Sequence, residues 1–212
     1  MESSRITGII TLATGVAAIA LLVNHPGGQA ADFAAILKQE AADQAISAVV
    51  HGGYILVLTI QLACYAVFAG RLGWTKPLAV AGMVFFAVGA GLQMASLLVD
   101  GLMIPQIAAR YLLAPPDRLP VARALFVLCG TAVQFLMPMG LFFQGAGVAS
   151  WGASLAKVMR GGGIAASVIG MLVAVGAVAA FATGQTHVML VAIALLAVWA
   201  GIAGVALIRK WV

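Results

Sequence analysis

A polypeptide inside a bilayer must pair every backbone amide with another part of itself, and only helices and closed barrels do so. That constraint governs almost the whole of this chain. Six mostly apolar stretches follow one another: Ile6–Val23, Ile46–Ala69, Pro77–Val99, Val121–Gly147, Gly163–Thr183 and Val188–Ile208. Each is long enough to cross a hydrocarbon core about 30 Å thick as a helix. None shows the two-residue alternation of a barrel strand, and Ala, Gly and Leu dominate them. With 64% of residues apolar and only 8% charged, no water-soluble surface can be assembled. The expected fold is an all-α integral membrane protein, a bundle of six transmembrane helices formed by residues 1–212 as a single domain.

The distribution of charge orients the bundle. With the N-terminus inside, the inner segments hold Arg5, Arg71, Lys76, Lys157, Arg160, Arg209 and Lys210, and the outer ones Lys38, Arg110, Arg118 and Arg123. Seven basic residues inside against four outside predict that both termini are cytoplasmic, as in a multi-pass protein of the cell membrane, here a bacterial inner membrane. The net charge of +5 therefore marks the inner leaflet. No basic cluster with interleaved aromatics is present, so nucleic acid is not an expected partner. The expected partner is the lipid bilayer, with a second copy or a membrane complex as further candidates and a small-molecule or lipid-like ligand in an outer cavity. Cys64 and Cys129 both fall in apolar spans, where thiols pack as small hydrophobic groups.

Between the spans, Asn24-His25-Pro26-Gly27-Gly28 ends the first helix. Asp32 then caps a short amphipathic helix at the outer interface, with Lys38, Glu40 and Asp43 toward water. Pro77 suits a first helical turn. Met103–Leu113 reads as a second interfacial helix, Pro138 predicts a kink in the fourth span, and Ser150, Trp151, Lys157 and Arg160 read as an inner loop. The three residues Gly184-Gln185-Thr186 are too few for anything but an antiparallel connection of the last two spans.

All three histidines, His25, His51 and His187, fall on the outer side with Asp100. An ionisable group within a span faces the bundle interior or a wet cavity, and His51 is such a group. Asp100 ends a helix, whose carbonyl terminus disfavours a carboxylate; His51 and His187 stand near helix starts, which disfavour an imidazolium. Neutral imidazoles beside a carboxylate in want of a cation form a ligand set for a transition metal, and His25, His51, Asp100 and His187 are the candidate ligands, for zinc, copper or iron. Tyr54 or Gln93 would hold the ligands in place. A b-type haem between His51 and His187 is the alternative cofactor. Against both stands the plainer reading in which Asp100 pairs with Arg110 or Arg123 and the histidines bond to backbone or water. Gln61, Gln93 and Gln134 are expected to hydrogen-bond between helices.

Three functional classes follow from these residues: a membrane-embedded metalloenzyme or haem protein working at the outer face, a small-molecule transporter whose outer vestibule they line, and a non-catalytic scaffold subunit. The metal-centred site is the sharpest of these expectations.

Overall fold

The computed structural model describes residues 2–25 and 32–212, with the side chains of Glu2 and Thr186 left aside. The Pro26-Gly27-Gly28 part of the turn expected after the first span lies outside the described residues. Among the described residues eight α-helices are formed: α1 (Glu2–Val23), α2 (Phe33–Ala42), α3 (Gln44–Leu72), α4 (Pro77–Leu98), α5 (Ile104–Tyr111), α6 (Leu119–Leu155), α7 (Arg160–Thr183) and α8 (Thr186–Ile208). Six of the helical segments are long and apolar enough to cross a membrane, and the protein is a multi-pass all-α bundle.

The six long helices form a ring in chain order. Helices α1, α3, α4, α6, α7 and α8 each pack principally on their two neighbours, and α8 closes the ring on α1. Lipid supplies no hydrophobic drive between helices, so close backbone approach must hold such a ring together. Pairs of glycines provide it. A Cβ on Gly8 would stand 2.6 Å from the Gly204 carbonyl oxygen, and one on Gly204 would stand 2.8 Å from that of Gly8, which joins α1 to α8. Gly140 faces Gly89 between α6 and α4 in the same way, and Gly145 faces Gly170 between α6 and α7.

Aromatic side chains fill the ring axis in its inner half. Tyr65 meets Phe86 edge-on at 4.7 Å, Trp151 stacks on Trp199 at 6.0 Å, and Phe68 packs against both indoles. The Trp151 indole N–H donates to the Ala79 carbonyl oxygen at 3.0 Å, tying α6 to α4. This corrects the expectation of an inner loop at Ser150 and Trp151. Helix α6 runs on to Leu155, because a buried indole with a bonded N–H anchors its last turns in the core. Pro138 lies within α6 without ending it.

The expected helix starts are formed. Asp32 Oδ1 accepts from the Ala35 N–H at 2.8 Å, and Pro77 occupies the first turn of α4. Leu37 buries the apolar face of α2, while Phe33 packs on Phe126 and lies under the Arg123 guanidinium, fastening α2 to the start of α6. Helices α2 and α3 are nearly continuous: the Asp43 N–H bonds to the Gln39 carbonyl and the Ser47 N–H to that of Asp43.

If the glycine contacts hold the ring, a single methyl at one of them is felt. Gly145→Ala places a Cβ 2.6 Å from the Gly170 carbonyl oxygen and is expected to cost about 1–3 kcal/mol, read as a lower thermal unfolding midpoint in detergent. Gly91→Ala, with nothing within 4 Å, is expected to leave the midpoint unchanged.

Candidate metal centre

Three side chains from three parts of the chain meet at the outer rim of the ring. His25 follows the end of α1, His51 lies two turns into α3, and Asp100 belongs to a π-helical turn, Val99–Met103, between α4 and α5. Their donor atoms all lie within 4.8 Å of one another. His51 Nε2 is 3.2 Å from His25 Nε2 and 3.3 Å from Asp100 Oδ2, and the last two atoms are 4.0 Å apart. His51 is 2% exposed, whereas Asp100 and His25 are 35% and 42% exposed. The cluster is therefore anchored in the bundle on the His51 side and open to water on the other.

The backbone fixes the imidazole of His51. Its Nδ1 stands 2.8 Å from the Ser47 carbonyl oxygen, one helical turn back. A carbonyl only accepts, so Nδ1 carries the proton, and in the neutral ring Nε2 presents a lone pair. That lone pair faces a carboxylate oxygen and a second imidazole nitrogen. Without a metal, a proton on one of the imidazole Nε2 atoms bridges these contacts as a hydrogen bond; a metal cation at the common point would engage all three atoms at once. A triangle with these sides has a centre about 2.1 Å from each corner, the length of a zinc–imidazole or zinc–carboxylate bond. An imidazole whose other nitrogen donates to a carbonyl is also the usual arrangement of a histidine ligand.

The π turn is a local departure that brings Asp100 here. The Ile104 N–H bonds back to the Val99 carbonyl, five residues earlier, which adds a residue to the turn and rotates the subsequent residues about the helix axis. Such turns recur at functional sites. This one also brings Gly101 against the His51 side chain, where an added Cβ would overlap Cβ, Cγ and Nδ1 of the histidine.

A pocket of about 40 Å³ adjoins the cluster, lined by His25, Gln39, Glu40, Asp43, Ser47, His51 and Asp100. That space admits about two or three waters or one ion. Every one of these residues carries a polar side chain and the space is small, so it suits hydrophilic groups better than acyl chains. Burial pushes the Glu40 carboxyl above the ordinary glutamate value, and the charges of Asp100 and then Asp43 push the same way, while His51 acts in the opposite direction.

Of the four candidate ligands, the structure brings together His25, His51 and Asp100. His187 is exposed at the start of α8 and is not a member of that group. Asp100 bonds to His51 rather than to Arg110, which is exposed, or to Arg123, which covers Phe33. Tyr54 packs with Leu141 and its apolar neighbours, and the Ser47 carbonyl has the supporting role expected of Tyr54 or Gln93. Gln93 instead accepts from the Gln144 side-chain amide at 2.9 Å, an interhelical bond of the expected kind, whereas Gln134 is exposed. Sequence reasoning does not single out Glu40, Asp43 and Ser47 as site residues. Their signal is the spacing Glu40, Asp43, Ser47, His51, one helical face if α2 runs into α3. The chain matches no protein-family model, no curated protein and no solved structure, so the geometry itself carries the functional reading.

Two outcomes are expected. Gly101→Ala should displace the His51 ring and broaden or shift its imidazole NMR signals, at a cost of about 1–3 kcal/mol. For Glu40 the sign is set by its raised value in the fold: its carboxyl favours folding when protonated, below the ordinary glutamate value, and this contribution is lost as pH rises through the raised value. Metal-free Glu40→Gln is therefore expected to unfold at a higher temperature than the parent at neutral pH, with the difference vanishing in acid, as followed by circular dichroism.

Proposed function

We propose that this protein is a membrane-embedded metal-binding protein, with one transition-metal ion held by His25 Nε2, His51 Nε2 and Asp100 Oδ2, and that it acts as a metalloenzyme at the outer face of the bundle. The observation that carries this reading is the approach of three lone-pair donors around a common point at metal-bond distance, with the buried imidazole aimed by the Ser47 carbonyl. Two imidazoles and a carboxylate without a thiolate suit zinc, and iron(II) next.

Three protein ligands leave a position open, which separates catalytic from structural zinc sites. The adjoining polar pocket supplies room for water there. An ion in this setting serves as a Lewis acid and lowers the pKa of bound water, the chemistry of metal-assisted hydrolysis. The pocket size favours a small hydrophilic substrate or a polar headgroup over a buried lipid chain.

The other readings have less support. A haem between His51 and His187 needs its iron at His51 Nε2, where His25 and Asp100 already stand at 3.2 and 3.3 Å, and His187 is exposed. A transport path along the ring axis meets the aromatic cluster of Tyr65, Phe86, Trp151 and Trp199.

Protein purified in detergent without chelator is expected to contain about one zinc or iron per chain by elemental analysis, with no Soret band. Replacement of a ligand should weaken binding by more than about 100-fold, since even supporting residues are worth 10- to 100-fold; His51→Ala, His25→Ala and Asp100→Asn test this. A Soret band lost in His51→Ala and His187→Ala would establish the haem instead. Metal-free, colourless protein that also fails to take up added zinc would end the metal reading.

A further inference from the structure

Two carboxylates at the pocket are left without a task by the three-ligand site. Glu40 and Asp43 line the same pocket as the donors, yet neither belongs to the group whose donor atoms lie within 4.8 Å of one another. They line the space beside the three donors without joining them. Both are half-buried and stand on the continuous α2–α3 face that leads from the water side down to His51. With Asp100 they give the pocket three carboxylates against two imidazoles. Among the described residues no lysine or arginine lines it, and Lys38 of α2 is exposed elsewhere on the helix.

Carboxylates at the mouth of a polar cleft, walled by apolar protein, raise the local concentration of cations and speed their association. We infer that Glu40 and Asp43 form the uptake route by which a free divalent cation passes from the outer water phase to the His25–His51–Asp100 donors, and that the ion at this site is exchangeable. The inference rests on the metal reading above and deepens it. A structural ion sealed into the bundle needs no attracting charges beyond its ligands. Here the two most exposed ligands, His25 and Asp100, face the side on which the extra carboxylates stand. The helix carrying Glu40 is fixed in place by Leu37, Phe33 and the Asp32 cap, so its carboxylate is a permanent part of the mouth.

The test is stopped-flow mixing of the full-length protein in detergent with cobalt(II) chloride, comparing the parent with Glu40→Gln/Asp43→Asn. The double variant is expected to bind cobalt about tenfold more slowly at low salt, with the dissociation rate changed less than about twofold. The gap should close as salt is raised, because exposed charges are screened. Faster dissociation with unchanged association would make the two residues ligands and overturn the inference, as would identical rates in both proteins. If the double variant does not fold, each single variant is expected to slow association by about threefold. A parent protein that binds no cobalt would instead defeat the metal reading itself, an outcome distinct from a parent that binds cobalt at the variants' rate.

Discussion

Backbone contact between glycine-bearing helix faces is the constraint on which the rest of this structure depends. In a bilayer the side chains of six apolar helices gain little by leaving lipid for one another, so the ring needs surfaces that touch without intervening side chains. Gly8 with Gly204, Gly89 with Gly140 and Gly145 with Gly170 supply them on three sides. The aromatic side chains then have a defined space to occupy. Tyr65, Phe68, Phe86, Trp151 and Trp199 gather on the axis, and their packing sets the inner half of the ring as a solid core. The outer half is left to accommodate polar groups.

The site is built against local electrostatic preference, which is why it needs the fold. Helical backbone runs unbroken from Pro77 to Tyr111, so Asp100 does not end a helix as its sequence suggests; its carboxylate instead stands 3.3 Å from Nε2 of a histidine whose Nδ1 proton is committed to Ser47. Glu40 and Asp43 add negative charge to the same pocket. Conflicts of this kind persist only where the surrounding structure enforces them, and they concentrate at functional sites. Here α2 is pinned by an apolar face and a cap, the π turn commits Asp100, and Gly101 leaves room for the imidazole. A bound cation would offset the negative charge gathered at the pocket.

Much of the fold is legible in the sequence because lipid permits so few solutions. Apolar length marks the spans, and Asp32 and Pro77 mark helix starts that the structure reproduces. The inner end of α6 is not legible: Ser150 and Trp151 look like a loop until a partner for the indole N–H is known, and the Ala79 carbonyl lies on another helix. The same is true of the site. His51 and Asp100 stand out as ionisable residues in apolar segments, but their meeting depends on a π turn that no residue pattern announces. His187 resembles His51 in sequence position and differs in that it is exposed, and Glu40 passes for a water-facing residue because its helix is amphipathic.

Closure of the ring by α1 against α8 bears on how the protein is made. Helices enter a membrane in the order of synthesis, and α1 finds its glycine-to-glycine partner, Gly204, only in the last helix of the ring. His25 follows the far end of α1, where Leu21 lies against Gly53 of α3, so α3 holds this helix on one side before α8 arrives to hold it on the other. The ring thus closes only with its last helix, through a contact between the two helices most distant in sequence.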